Sequence, residues 1–228
     1  MLNSIKKAQR FLYRDFFEIE LSQSSKSTMD LFAQKAIDRT KEMISEELAK
    51  YPNLGVVGLE NPKKNKINFV FAVDGLSNLA RALPFFSISI CAYKLNDKND
   101  IVQQSSIVSF PALGALYYAE VGLGAFLLNE SSQNNSIRLK VSKHQTPFMI
   151  ASENGSLYES ENNKSLVRSF GSLSYSSCLL ASGKVDLVTS SVLNKELFMT
   201  LSLIVSESGG FISEDENALV MTNGCCKI

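Results

Sequence analysis

The chain has 228 residues, enough for one domain with a sizeable core. Hydrophobic residues make up 45% and charged residues 20%, a balance that excludes global disorder. Lys plus Arg and Asp plus Glu each number 23, so bulk charge gives no argument for binding nucleic acid or an anionic membrane.

In chain order, Ile5, Ala8, Leu12 and Phe16 recur at helical spacing over Asn3 to Phe17. Lys6, Lys7 and Arg10 precede no apolar run of the kind a signal peptide needs, and no stretch is long enough to span a membrane, so a cytoplasmic protein is expected. Ser27 or Thr28 is placed to cap a second helix with the stripe Phe32, Ala36, Ile37, Ile44 and Leu48, ended by Tyr51-Pro52-Asn53. A turn and short strand follow over Asn53 to Gly58. Strands are predicted over Ile67 to Val73, Phe85 to Tyr93, Ile107 to Phe110, Ala115 to Glu120 and Ala125 to Leu128. Asn96 to Asp100 reads as a turn. The first part, residues 1–145, is therefore helices followed by an antiparallel-rich sheet.

Residues 146–228 read as a smaller α/β half of the same single domain, 1–228. Short strands are expected over Phe148 to Ala151 and Leu166 to Phe170, separated by the polar segment Ser152 to Lys164. A helix carrying Leu173, Ser177, Leu180 and Ala181 stops at Gly183, and Val185 to Val188 is a strand. Asn194 is placed to cap a helix closed by Gly209-Gly210, with final strands at Phe211-Ile212 and Ala218 to Met221.

The chemically informative segment is Phe69-Val70-Phe71-Ala72-Val73-Asp74-Gly75-Leu76-Ser77-Asn78, followed by Pro84-Phe85-Phe86-Ser87-Ile88-Ser89. A strand delivering an Asp-Gly turn sets a carboxylate at a sheet edge beside backbone N–H groups, which suits a hard cation and a phosphate. Many strands end this way, so the pair alone says little. Elsewhere, His144 reads as a solvated loop histidine. Cys91 and Cys178 read as small buried hydrophobes, and the Cys225-Cys226-Lys227-Ile228 end does not fit a prenylation signal. Ser24 to Ser27 lacks the glycines of a phosphate-cradling loop, and Lys63, Lys64 and Lys66 read as a solubilising turn.

The segment resembles the inositol-monophosphatase signature D-P-x-D-G-T-x-N with its following P-x-x-x-x-S strand. Tyr51 to Glu60 is similar to the family's Y-P-…-G-E-E segment, and Glu120 to Leu127 to its R-G-x-G-A-F turn. Gly171-Ser172 through Asp186 resembles G-S-A-A-L-D-L with A-A-G-R-x-D, and Leu203 to Gly210 resembles I-V-x-E-A-G-G. The resemblance, to a family of magnesium-dependent sugar-phosphate phosphatases, implies an α/β fold: an alternating αβαβα layered sandwich, often dimeric. The chain ends where the family continues into a closing helix, so that final helix is expected to be missing.

The departures bear on activity. Where the resemblance implies metal-binding acids, this chain has Phe71, Leu59 and Leu197, and only Asp74 remains. Leu76 replaces the signature Thr, Ala36 the acid of an early T-x-x-D motif, and Ser190 a substrate-hydroxyl Glu. The resemblance therefore implies a degenerate member. Glu60 and Glu196 each lie one position from a lost ligand, but a one-residue slip reverses the face of a strand and turns a helix position by about 100°. No residue is assigned a catalytic role; Gly75 and Ser77 are the expected phosphate-binding positions, and magnesium is the expected cofactor if any turnover remains. Three functions follow: an impaired relative retained as a binding or assembly partner; a magnesium-dependent phosphatase of inositol phosphate or a related sugar phosphate, with a site rebuilt from Asp74, Glu60 and Glu196; or a transcription antitermination partner, as in some bacterial relatives. The expected partners are a second copy and a protein of unidentified kind, with neither membrane nor direct nucleic-acid contact.

Overall fold

A computed structural model describes residues 1–22, 25–51, 53–129, 135–145, 149–153, 165–191, 194–215 and 218–225, with the side chain of Asp215 excepted. Pro52, Phe148, Cys226, Lys227 and most of the polar segment after Ser152 lie outside them.

The chain opens with α1 (Leu2–Leu21) and α2 (Lys26–Ala49). Ser25, rather than Ser27 or Thr28, is the residue before α2, and its hydroxyl lies 2.9 Å from that of Thr28. The buried stripe of α1, with Ile5, Ala8, Leu12, Phe16 and Ile19, meets Ala33, Ala36, Ile37, Ile44 and Leu48 of α2. Both helices lie on a seven-stranded sheet made of β1 (Leu54–Val57), β2 (Ile67–Asp74), β3 (Ser87–Leu95), β4 (Ile101–Phe110), β5 (Ala115–Glu120), β6 (Gly124–Asn129) and β7 (Ser136–Arg138), in that spatial order. β1 is parallel to β2, and every other pair is antiparallel, with Asp74 opposite Ser87. A short helix, α3 (Leu76–Leu79), follows β2 in a stretch for which no element is predicted.

The second half supplies β8 (Met149–Glu153), β9 (Leu166–Arg168), α4 (Leu173–Ala181), β10 (Leu187–Ser190), α5 (Lys195–Glu207), β11 (Phe211–Asp215) and β12 (Ala218–Thr222). Its five strands run in the order β11-β12-β10-β8-β9, with β10 parallel to β8 and β8 to β9. Both helix starts follow from their caps. Ser172 Oγ accepts from Tyr175 N, and Asn194 Oδ1 accepts from Leu197 N at 2.8 Å, as the sequence predicts for Asn194.

Leu179, Leu180, Leu201, Ile204 and Val205 join α4 and α5 to Val108, Phe110 and Tyr117 of the first sheet and to Ala151, Val188, Leu219 and Met221 of the second. One buried cluster therefore spans both sheets. The described layers run helix, sheet, helix, sheet, a mixed α/β architecture. Cys91 and Cys178 are fully buried, as expected, and burial pushes the Cys91 thiol up to about 12 and Cys178 well above its ordinary value.

Candidate functional site

The site region begins where β2 hands over to α3. Gly75 takes φ +84°, and a Cβ there would sit 2.8 Å from Phe86 Cα and against the Phe85 carbonyl oxygen. Only glycine fits this turn. The turn aims Asp74 across to the second half of the chain. Its Oδ1 accepts from Gly75 N at 2.8 Å, and its Oδ2 accepts from Ser172 Oγ at 2.8 Å and Ser174 N at 2.9 Å. Asp74 therefore caps α4 through the helix's own capping residue. Asn78 Nδ2 lies 2.8 Å from Phe85 O, 2.9 Å from Phe170 O and 3.2 Å from Gly171 O, tying α3 to the approach of the same helix. Ser77, in contrast, is exposed.

A second carboxylate approaches that helix from the other sheet. Glu153, at the end of β8, is completely buried. It accepts from Phe170 N at 2.8 Å, Gly171 N at 2.9 Å, Ser176 Oγ at 2.6 Å and Ser169 Oγ at 3.3 Å. Sequence reasoning missed this residue, which opens a polar run and carries no motif.

The residues that stand where the resemblance implies acids are mostly apolar. Phe71 packs with the cluster under α1 and α2, and Leu59 packs against Val70, Cys91, Tyr93 and Met199. Leu197 and Ala36 are buried, Ser190 is buried, and Leu76 is exposed. Glu60 is exposed. Glu196 is half-buried on the wall of a cleft of about 400 Å³, which Lys41, Val57, Gly58, Val70 to Val73 and Asn194 also line.

Among the described residues, no group of three or more His, Cys, Asp or Glu side chains is placed to hold a metal ion. Asp74, Glu60 and Glu196 are thus not brought together. The hydroxyls of Ser87, opposite Asp74, and Ser174 are buried without a partner among the described residues. Neutral hydroxyls supply little of the charge a divalent cation needs, and near-octahedral Mg²⁺ wants several oxygens around one centre. The residues present do not fit a magnesium pair.

Two other motif segments have structural work. Glu207, at the end of α5, accepts from Gly122 N and Gly124 N, both at 2.9 Å, so the helix end holds the β5–β6 hairpin. Asp186, 2% exposed, accepts from Met149 N at 3.1 Å and from Ser142 Oγ, and its Oδ1 lies 2.8 Å from His144 Nδ1. His144 lies in a loop with its ring 61% exposed, as expected, and a buried carboxylate additionally fixes it.

The profile described as the inositol monophosphatase family matches residues 3–220. The chain belongs to this family. An inositol-1-monophosphatase of Caulobacter vibrioides is 28% identical over 93% of this chain and 87% of its own length. A fructose-1,6-bisphosphatase/inositol-1-monophosphatase of Thermotoga maritima is 27% identical over 78% and 70%. The crystal structure of the extragenic suppressor protein SuhB of Bartonella henselae superposes with a TM-score of 0.76 at 22% identity, covering 99% of this chain and 93% of that one. That last likeness concerns the fold alone, a mixed α/β architecture of two sheets and helices.

Proposed function

We propose that this inositol-monophosphatase family member does not hydrolyse phosphate esters and serves as a binding or assembly partner. The observation that carries the reading is the state of Asp74. Its Oδ2 is engaged at the start of α4 and its Oδ1 by Gly75 N in its own turn, while Phe71, Leu59 and Leu197 stand where the family resemblance implies further ligands.

Physical chemistry sets the consequence. Metal-assisted hydrolysis uses the cation to activate water and to stabilise the leaving oxygen. Phosphate monoesters resist water so strongly that an enzyme must remove roughly 20 kcal/mol or more of the barrier. A single carboxylate amid apolar side chains offers no source for that amount. Replacing clustered acids with packed hydrocarbon also removes charge repulsion, so the same changes stabilise a fold released from catalysis.

The relatives' names supply the test substrates: inositol monophosphate and fructose 1,6-bisphosphate, each with Mg²⁺. Purified protein is expected to release no phosphate above the blank. Robust Mg²⁺-dependent turnover would overturn the reading and favour a rebuilt site using Glu60 or Glu196. Restoring Phe71→Asp, Leu59→Glu and Leu197→Asp together separates the cases, because activity arising from none fits a lost site, whereas an altered existing rate fits a rebuilt one.

A further inference from the structure

β2 is covered by β1 for only part of its length. The last paired residues are Val57 and Phe69, and Gly58 N donates to Phe69 O at 2.7 Å. Beyond that bond the chain leaves the sheet at Gly58, with φ +128°. On its other side, β2 stays paired with β3 through Asp74.

In a strand, the N–H and C=O of one residue point to one side, and successive residues alternate. Phe69 points its carbonyl toward β1, so the main-chain groups of Phe71 and Val73 face the same way. There β1 has gone, and no described residue pairs with them. They form a row of two donors and two acceptors with a repeat of about 6.8 Å. The row opens into the cleft of about 400 Å³, where Lys41 and Glu196 place opposite charges on the walls.

We propose that the open edge of β2, Val70 to Val73, receives an extended peptide segment of a partner protein as an added strand. The main-chain row selects the occupant, because only another extended backbone presents acceptors and donors at that repeat. The site continues the track that β1 already occupies. Phe71 and Val73, which pack on the cluster beneath α1 and α2, would flank the side chains of the added segment on that face of the sheet, and Lys41 and Glu196 suit a segment carrying one acidic and one basic residue. The inference rests on the binding role proposed above and names the surface that performs it.

The test uses random twelve-residue peptides displayed on phage, selected on the full chain and counter-selected on Val73→Pro. Proline is tolerated on an edge strand whose N–H points outward, so this variant removes the donor and blocks the ladder while every internal sheet bond remains. A synthetic peptide from the selection is expected to bind the wild type at least tenfold more tightly than the variant. In the wild type, it is expected to slow amide exchange at Phe71 and Val73 at least tenfold, a readout independent of any substitution. Failure to enrich peptides over the counter-selection, or a bound peptide that leaves those two amides unprotected, overturns strand addition. Phosphate release measured on the same preparation separates the two claims: turnover overturns the proposed function, and its absence without amide protection overturns the strand addition alone.

Discussion

Burying a carboxylate without a counter-ion is costly unless every oxygen is hydrogen-bonded. Glu153 meets that condition with two backbone N–H groups and two serine hydroxyls, all within Ser169 to Ser176. Glu153→Gln would turn one acceptor oxygen into an amide donor facing another donor. A loss of about 2–4 kcal/mol is expected from a urea titration. Asp74 is less buried, so Asp74→Asn is expected to lose a smaller amount, about 1–2 kcal/mol, through the weakened cap on α4. The same titration with millimolar Mg²⁺ should leave the wild-type midpoint unmoved, since a ligand that binds only the native state would raise it. A clear Mg²⁺-dependent rise removed by Asp74→Asn would make that residue a metal ligand. Of these two carboxylates the sequence revealed one. Asp74 ends a run of strand residues with an Asp-Gly turn, whereas Glu153 begins a stretch of polar residues, and nothing local distinguishes it from a solvated loop acid. Its role comes from where β8 ends against the approach to α4, which is tertiary information.

At the level of elements, the legible ones carried an apolar period together with a cap or a turn. α5 was read from Asn194 and the Gly209-Gly210 stop, and β5 from Ala115 to Glu120 has the limits the sequence indicates. The sequence indicates only Ile107 to Phe110 of β4, which runs Ile101–Phe110, because Gln103, Gln104, Ser105 and Ser106 look like loop. Gln103 Nε2 donates to Ser202 Oγ at 2.8 Å, Ser106 donates to Thr200 O, and Thr200 Oγ1 lies 2.8 Å from Ser89 Oγ. A polar seam thus joins β3 and β4 to α5, and it hides the start of a strand whose polar side chains bond residues remote in sequence. Asn194→Ala should cost about 1 kcal/mol by removing the cap of α5. Glu207→Ala acts at the other end of that helix. It frees Gly122 N and Gly124 N, so exchange of both amides is expected to accelerate at least tenfold, with little change in the exchange of the β2 and β3 amides. Uniform acceleration across the sheet would instead mean that the contact holds the whole fold and not only its hairpin.

Across the whole molecule, the two sheets are coupled by α4 and α5, and two buried thiols report on that coupling from different places. Cys91 lies on β3 with Val70, Tyr93 and Met199, whereas Cys178 lies in α4 within the cluster that spans both sheets. Burial disfavours the thiolate at each site, and raises Cys91 from an ordinary value of 9.0 to about 12. The folded chain therefore keeps a proton that the unfolded chain releases above about pH 9. Well below that pH both states hold the proton, and the thiols contribute no pH dependence. Between about pH 9 and pH 12, the unfolded state binds fewer protons, so stability falls with rising pH by about 1.4 kcal/mol per pH unit for Cys91, with a contribution of the same sign from Cys178. Urea midpoints at pH 8, 9 and 10 should fall slightly over the first interval and more steeply over the second, and Cys91→Ala should flatten part of the decline. At pH 8, the exposed Cys225 should react with a disulfide reagent within the mixing time, while Cys91 and Cys178 should become labelled together, at the rate of global unfolding. Labelling of Cys178 well ahead of Cys91 would show that the α4 layer opens independently of the first sheet, and that the carboxylates at its N-terminus do not lock the two halves into one cooperative unit.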